Sequence, residues 1–398
     1  MSAEVVVSSL TGGDFASATS MWSVLYANTP DAGPFLSPTW TASWVKIFGP
    51  QLESSLLSIH DSEGGQLGAC LLTMQRQYKT LLPHVRWYFN TDGEPPEDSV
   101  VIEHNQLLAR GGCDAEVAEA IADYAASSRV DELRFSGVNE SRVATIRAAF
   151  PAWECNVEWR DAPYVRLGAV REAKGDYLSF LSSNTRAQLR RSLNYYRRRG
   201  DLRCVAAVTA DDAERMLDEL IVLHEARWEA KGSGGGFASD LRRGFHRAYT
   251  QAAVPTGEAQ LLHVMAGDET VGIMYNLVGH GKVNFYQAGF HYEAHRDSRP
   301  GMVAHFLAIE YNLSLGMAEY DFLVSAPGEG RYKYSLSTDV HRLAWLSIYR
   351  PGWRTRYFNA LRIVRRLLSH ATLRMVRERP TGQPGRVSAN LSAVTAHL

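Results

Sequence analysis

Residues 282–322 read KVNFYQAGFHYEAHRDSRPGMVAHFLAIEYNLSLGMAEYDF, which predicts a strand, a polar loop, an amphipathic helix and a second strand. Four apolar residues share one face of the helix at spacings of four, three and four positions: Met302, Phe306, Ile309 and Leu313. Pro300 is typical of the first turn of a helix, and Gly316 is typical of the residue after its end. The stretch therefore predicts a strand–loop–helix–strand unit of an α/β protein.

The start of this helix is a candidate phosphate site. A helix N-terminus presents unpaired N–H groups and the positive end of the helix dipole, which suits an anion. Arg296 and Arg299 lie just before it and would add charge-assisted hydrogen bonds. An ordinary structural unit with surface arginines is the alternative, because the chain has neither a Walker nor a Rossmann fingerprint here.

The order of elements around this unit occurs twice in the chain. Each half reads helix, helix, hairpin, strand, helix, strand, and DELRFSG of the first half takes the place of AEYDFLV in the second. We therefore expect an α/β fold of mixed sheets in tandem halves. The expected domains are residues 1–168, residues 169–352, and a C-terminal helix with a loosely ordered tail over residues 353–398.

The composition is that of a soluble globular protein, with 398 residues, 45% hydrophobic and 21% charged, and a formal net charge of −1. This charge gives no bias toward DNA or an acidic membrane, so we expect no DNA partner. There is no apolar run of about 18 residues and no basic leader, so we expect no membrane span and a cytoplasmic location. The four scattered cysteines are expected to be reduced.

A continuous helix is predicted over residues 177–199, and it carries the basic segment SSNTRAQLRRSLNYYRRRG at residues 182–200. Leu189, Leu193 and Tyr196 form its apolar stripe, and Arg186 and Arg190 lie directly beside that stripe. Arginines in this position can face a groove and bind an anionic ligand. The alternative is a solvated basic face. No recognised pattern for RNA or DNA binding accompanies it.

Residues 223–237, LHEARWEAKGSGGGF, begin like a zinc-protease motif, but position 228 is Trp where the second histidine would stand. We therefore exclude that class. The segment still presents His224, Arg227 and Trp228 at a helix end. A glycine-rich loop follows and ends at Phe237, as either a lid or a plain connector.

Asp321 lies within an apolar strand and needs a partner, for which Lys333 or an arginine of the basic helix is the candidate. Tyr332 precedes that lysine in GEGRYKYS. His291 and His295 fall in a presumed loop without helical ligand spacing, so we expect no metal site. No G-x-S-x-G elbow occurs, so no nucleophilic serine is expected.

Together these segments resemble the GNAT-type acyltransferases that include the CelD and BioF-like acetyltransferase proteins, and more distantly the Fem peptidyltransferases. The resemblance is carried by SSNTRAQLRRSL, LHEARWEAKG with Phe237, FYQAGF, SRPGMVAHFLAIEYNLSLG, YDFL and GRYK. It covers residues 165–350. The first half matches in element order and in its opening FLSPTWTASW.

The resemblance implies a tandem GNAT fold and transfer of an acyl group from a thioester to a primary amine. The donor would be acyl-CoA or a partner acyl carrier protein. The residues implied to hold the donor are Arg296, Arg299, Gly301, Met302, Gln287 and Ala288. The loop carries a proline and a single glycine in place of the usual pattern, which leaves room for a carrier-bound or tRNA-bound donor.

The mechanism we expect is direct attack by the amine of a peptide, an amino sugar or an amino acid. Lys333, with main-chain N–H groups of FYQAGF, would stabilise the oxyanion, with Asp321 as base and Tyr332 or His263 as proton relay. The expected substrate-binding residues are Arg186, Arg190, His224, Arg227, Trp228, Phe237 and Tyr286. The alternatives are an aminoacyl-tRNA-dependent Fem-like peptidyltransferase, although no coiled-coil arm is present, and a non-catalytic binding module for a peptide or polysaccharide precursor.

Overall fold

The structure is a computed structural model that describes residues 3–361 except 11–14, 79–81, 175, 231, 233–234, 326–329 and 359. Its strands are β1 (Glu4–Ser9), β2 (Glu53–His60), β3 (Gln66–Gln77), β4 (His84–Phe89), β5 (Leu108–Ala109), β6 (Glu132–Asn139), β7 (Glu154–Arg166), β8 (Leu202–Ala206), β9 (Ala259–Ala266), β10 (Glu269–Gly279), β11 (Lys282–Phe290), β12 (Glu319–Asp321) and β13 (Asp339–Tyr349). Its helices are α1 (Ala16–Ala27), α2 (Pro38–Phe48), α3 (Asp114–Ser127), α4 (Glu140–Ala149), α5 (Leu167–Glu172), α6 (Ser183–Arg197), α7 (Ala210–Glu229), α8 (Asp240–Ala253), α9 (Pro300–Ser314) and α10 (Arg331–Leu336). Short 3₁₀ helices form at Pro34–Leu36 and Tyr177–Phe180.

The strands form one mixed sheet with the order β1-β2-β3-β4-β6-β13-β7-β12-β11-β10-β9-β8, and β5 pairs with β3. From the β1 edge, three antiparallel pairings lead from β1 to β4, and a parallel pairing joins β4 to β6. From the β8 edge, three antiparallel pairings lead from β8 to β11, and a parallel pairing joins β11 to β12. A long strand follows in each case, β13 next to β6 and β7 next to β12. The mixed α/β fold in two related halves is therefore confirmed.

Equivalent residues of the two halves also make equivalent contacts. In the parallel pair β4–β6, Arg86 is the register partner of Glu132, and its Nε lies 2.8 Å from the carboxylate. In the parallel pair β11–β12, Lys282 is the register partner of Glu319, with Nζ 3.7 Å from that carboxylate. An ion pair at the same register position supports an internal duplication.

The last strand of each half pairs with the other half. β7 precedes residue 168 but pairs with β12, whereas β13 pairs with β6 and with β7. Residues Met1–Arg350 accordingly form one compact unit. We therefore keep residues 168 and 352 only as proposed limits of the two repeated halves of the sequence.

An aromatic core joins the halves where α2 packs on α8. The Trp40 ring lies 4.8 Å from the Phe245 ring and 5.0 Å from the Tyr249 ring, both edge-on. Trp40 is buried. Separate apolar clusters pack α6 and α9 on the second half of the sheet, and α3 and α4 on the first half.

The local predictions for the second half are confirmed except at one helix. α9 begins at Pro300, and Gly316 follows its end with φ +76°. The continuous helix expected over residues 177–199 is wrong. The Ser182 hydroxyl accepts a hydrogen bond from the Thr185 N–H and starts α6 there.

The described part of the C-terminal segment is helical at residues 353–358, and the remainder of the expected tail from residue 362 lies outside the described residues. None of the helices in the described ranges is long and apolar enough to cross a membrane. The four cysteines are unpaired.

A buried carboxyl group lies under α2. Glu94 accepts hydrogen bonds from the Trp44 indole and, at 2.7 Å, from the Thr91 hydroxyl, and its second oxygen has no partner among the described residues. Burial, together with nearby Asp92, raises the pKa of Glu94 to about 7. The folded protein therefore holds a proton that the unfolded chain releases near pH 4.5.

We expect the free energy of unfolding to fall as pH rises from 4.5 to 7, because only the unfolded chain gains a charge at Glu94 over that range. Glu94→Gln should remove about 3 kcal/mol of this fall. Urea unfolding at a series of pH values measures the effect. Equal pH dependence of the variant and the wild-type protein would contradict the expectation.

Candidate active site

The candidate active site is a cavity of about 620 Å³ that begins where β11 and β12 separate. These strands pair only over Lys282–Asn284 and Glu319–Asp321, and then diverge. The described lining residues are Leu223, His224, Arg227, Trp228, Phe285, Tyr286, Gln287, Ala288, Phe290, Tyr292, Val324, Ser325, Gly330, Tyr332 and Lys333. Eight residues predicted from the sequence therefore meet around one space: His224, Arg227, Trp228, Tyr286, Gln287, Ala288, Tyr332 and Lys333.

The main chain of Ala288 faces this cavity. Its N–H donates to the Gln287 side-chain oxygen at 3.1 Å, and its C=O accepts from His224 Nδ1 at 3.2 Å. His224 Nε2 accepts the Gly236 N–H at 3.0 Å, so the imidazole is neutral with its proton on Nδ1. His224 therefore links α7 to β11, and the Ala288 N–H donates to a side chain that a ligand can displace.

Lys333 lies on α10, which starts after Gly330 at φ +77°. Its Nζ donates to the Phe322 C=O at 2.8 Å and lies 5.1 Å from the centre of the Phe285 ring. The ammonium group is thus held by the chain that leaves β12, on the opposite side of the opening from β11. A positive charge in this place can stabilise negative charge that develops in the cavity.

Tyr332 connects the cavity to a buried polar chain. Its hydroxyl lies 3.4 Å from His305 Nε2, and His305 Nδ1 lies 3.0 Å from the Tyr320 hydroxyl. Burial, with a smaller effect of Lys333, lowers the pKa of His305 well below its usual value. His305 is therefore neutral and can share hydrogen bonds with both phenols.

Two carboxylates hold the turn after β12. Asp321 Oδ1 accepts the Leu323 N–H at 2.6 Å, and Glu103 Oε2 from the first half accepts the Val324 N–H at 2.9 Å. Leu323 has φ +56°, a left-handed conformation that costs energy in a branched residue unless its surroundings hold it. Both hydrogen bonds fix this turn beside Lys333.

Asp321 does not line the cavity that contains Lys333. It lies in a second cavity of about 490 Å³, where its carboxylate is 3.0 Å from His104 Nε2. The expected partners, Lys333 or an arginine of the basic helix, are therefore wrong. Burial alone would lower the pKa of His104, but the hydrogen bond and charge of Asp321 outweigh it and raise that pKa.

The residues predicted for pyrophosphate lie beside the cavity, not in its described lining. Arg299 donates to the Gln188 side chain at 2.7 Å, Arg296 is exposed, and Met302 is buried in the core of the second half. Gly301 is nearest: a Cβ built there would lie 3.4 Å from the Phe290 ring, which does line the cavity. The start of α9 thus borders one wall of the cavity.

Three further predicted substrate-binding residues lie elsewhere. Arg186 donates to the Leu181 C=O at 2.5 Å and so supports its own helix start. Arg190 is exposed on α6. Phe237 is buried, with its ring 5.3 Å from that of His224, and supports the cavity wall from behind.

The opening between β4 and β6 in the first half, which corresponds to the cavity, is filled by its own chain. Asn105 bridges to Val138, and the Asn90 amide donates to Asn105 at 3.0 Å and to the Gln106 C=O at 2.7 Å. The same segment supplies Glu103 and His104 to the second half. Sequence reasoning missed both residues, and no local motif marks them.

No group of three His, Cys, Asp or Glu side chains in the described ranges is arranged to hold a metal ion.

Residues 183–334 match the family model described as acetyltransferase (GNAT) domain. No curated protein was found whose sequence matches the chain.

Similar solved structures include FemX, at 11% identity over 80% of this chain and 92% of that chain, with a TM-score of 0.54. L-PGS from Bacillus licheniformis is 12% identical over 87% of this chain and 96% of that chain, with a TM-score of 0.51. The C-terminal domain (DUF2156) of a putative lysylphosphatidylglycerol synthetase from Agrobacterium fabrum is 10% identical, with the same coverage and TM-score of 0.51. At these identities the likeness shows a shared fold.

Proposed function

Since residues 183–334 are a domain of the GNAT acyltransferase superfamily, with Fem-like structural similarity, we propose that this protein transfers an acyl group from a thioester to a primary amine. One observation carries the proposal: Ala288, whose N–H donates to a side chain, and Lys333 line one cavity at the opening between β11 and β12. Two such groups can bind one carbonyl oxygen and stabilise it as an oxyanion.

The donor carbonyl takes the place of the Gln287 amide on the Ala288 N–H. The neutral amine attacks the carbonyl carbon, a C–N bond forms, and the oxyanion lies between the Ala288 N–H and Lys333. When the intermediate collapses, the C–S bond breaks and the sulfur leaves as a thiolate. The proton lost by the attacking amine moves to that thiolate.

Tyr332 is the proton carrier in this proposal. No carboxylate is found among the described lining residues, so Asp321 is given no part in proton transfer. The phenol gives its proton to the thiolate and recovers one from the amine. Neutral His305 holds the phenol in place from behind.

Tyr332→Phe should lower kcat by roughly 10²-fold, the effect expected when a positioned proton donor is lost, with little change in KM. Tyr334→Phe is the matched control, because that phenol is exposed and lies outside the described lining. Steady-state rates with one donor and one amine measure both. Equal rates for the two variants would contradict the role of Tyr332.

The donor we propose is acyl-CoA or an acyl carrier protein. Gly301 borders the cavity wall at Phe290, so a phosphate at the start of α9 and a thioester in the cavity can belong to one extended molecule. Arg296, Arg299 and Met302 stay proposed parts of that phosphate site. The acceptor we propose is the amine of a peptide, an amino sugar or an amino acid.

Mass spectrometry of the purified protein with a panel of acyl-CoA donors and amine acceptors tests the function. An acylated amine that forms only with the active protein, and not with Lys333→Ala, supports the proposal. Absence of any product across thioesters on CoA and on a carrier protein contradicts it.

A second candidate donor is an aminoacyl-tRNA. The observation that favours it is on α6 and the residue after it, where Arg190, Arg197 and Arg198 are exposed and have no ion-pair partner in the described ranges. Such a row can bind a polyanion. Loss of activity on ribonuclease treatment would select this donor, and unchanged activity would exclude it.

A further inference from the structure

The first half of the chain places one buried carboxylate against the active-site cavity. Glu103 is 3% exposed, and its Oε2 accepts the Val324 N–H at 2.9 Å. Because Val324 lines the cavity, this hydrogen bond joins the two halves at the site itself.

The hydrogen bond acts on a turn that carries Lys333. From residue 322 to residue 324, three successive main-chain groups are held: the Phe322 C=O by Lys333, the Leu323 N–H by Asp321, and the Val324 N–H by Glu103. The left-handed Leu323 makes the turn sensitive to the loss of any one of these hydrogen bonds. If the Val324 N–H were released, the Phe322 C=O would lose its orientation toward the Lys333 ammonium group.

This hydrogen bond requires a buried carboxyl group. Burying a carboxyl group costs free energy that an apolar side chain in the same place would not cost. Burial is the largest influence on Glu103 and raises its pKa to about 7. The ionisable groups that influence or face it are His104, Asp321, Lys333 and Tyr286. A buried carboxyl group of this kind is retained where its hydrogen bond has a use.

We propose that Glu103 is a positioning residue, which holds Lys333 in the cavity through the main chain of residues 322–324. The catalytic meaning of this role rests on the proposed function, because Lys333 is the oxyanion group only there. The positioning itself is independent of that function. It also explains why the filled first half is needed beside the second: its segment supplies a wall and an anchor to the working cavity.

The kinetic test compares Glu103→Leu, which cannot accept the Val324 N–H, with Glu103→Gln, which can. Glu103→Leu should lower kcat by roughly 10- to 100-fold with little change in the donor KM, because the oxyanion group is displaced while the binding surface stays. Glu103→Gln should keep kcat within a few-fold of the wild-type protein. It should also lose the rise in kcat near pH 7 that accompanies ionisation of Glu103, since the charged form is the stronger acceptor.

Glu94→Gln is the matched control. Glu94 is a buried carboxyl of the same half whose pKa is also about 7, but its hydrogen bonds go to Trp44 and Thr91 and not to the turn. This variant should keep the wild-type rise near pH 7. Loss of that rise in both variants, or wild-type kcat in a folded Glu103→Leu, would overturn the proposal.

A second measurement does not depend on acyl transfer. Trace labelling with acetic anhydride, followed by peptide mass spectrometry, gives the reactivity of Lys333 relative to Lys282 in each folded variant. Glu103→Leu should change the relative labelling of Lys333 several-fold, whereas Glu103→Gln and Glu94→Gln should leave it unchanged. Unchanged labelling in Glu103→Leu would refute the positioning role. A changed labelling pattern in a protein that transfers no acyl group would keep the positioning role and reject the proposed function.

Discussion

Lys333→Ala should lower kcat by about 10²-fold or more and leave the protein folded, as expected for loss of one oxyanion-stabilising group. The reason is that the Ala288 N–H would remain as the donor on the β11 side while the positive charge across the opening disappears. KM for the donor should change little, because the interaction with Lys333 strengthens only when the carbonyl oxygen becomes negative. Single-turnover rates at saturating donor measure the loss directly.

The matched control is Lys282→Ala. That lysine forms an ion pair with Glu319 and lines the second cavity, so its loss removes the same charge from outside the described lining of the candidate active site. Its kcat should stay near that of the wild-type protein. A folded Lys333→Ala variant with unchanged kcat would remove the assigned role, and equal losses in both variants would show a general effect of charge.

The second large effect is on stability. His104→Ala should lower the free energy of unfolding by about 3 kcal/mol, because it removes the nearest ion-pair partner of the buried Asp321 carboxylate and leaves, among the described residues, only His341 Nε2, 4.0 Å away. Asp321 is only 2% exposed, so its carboxylate depends mainly on protein groups for its hydrogen bonds. Chemical denaturation at pH 6, where the raised pKa of His104 favours the imidazolium, gives the value.

A double-mutant cycle separates this pair from the cavity that each removal creates. With Asp321→Asn already present, His104→Ala should cost clearly less than in the wild-type background. Identical costs in the two backgrounds would show that the residues do not interact. Asp321→Asn should keep the Leu323 hydrogen bond, since an amide oxygen can accept that N–H.

The helices and strands with strong local signals were predictable from the sequence. α2 and α9 follow from an apolar face next to a proline at the helix start, and the hairpins follow from apolar runs joined by short polar turns. β7 was missed because most of its side chains are exposed and its composition is polar. It is a strand because β12 and β13 both pair with its backbone, which no local pattern records.

The candidate site divides in the same way. One strand carries Tyr286, Gln287 and Ala288, and one short helix carries Tyr332 and Lys333. Each group is therefore visible in a short segment of the sequence, and folding of the second half brings the two segments together. Asp321 lies between these two segments in the sequence, in YDFL, but it lines the second cavity. Successive residues of a strand point to opposite sides of the sheet, and the turn after β12 begins at this residue.

The sequence by itself determined the α/β class, the repeated order of elements, and the segments from which the cavity is built, because these depend on periodicity and on residues close together in the chain. Only the tertiary structure decided that His104 is the partner of Asp321, 217 positions away, and that Glu103 holds the turn of Lys333, 221 positions from Val324. The physical reason is that a buried carboxylate bonds to whichever donor packing brings within reach. That choice is made by the assembly of both halves and leaves no trace in local spacing.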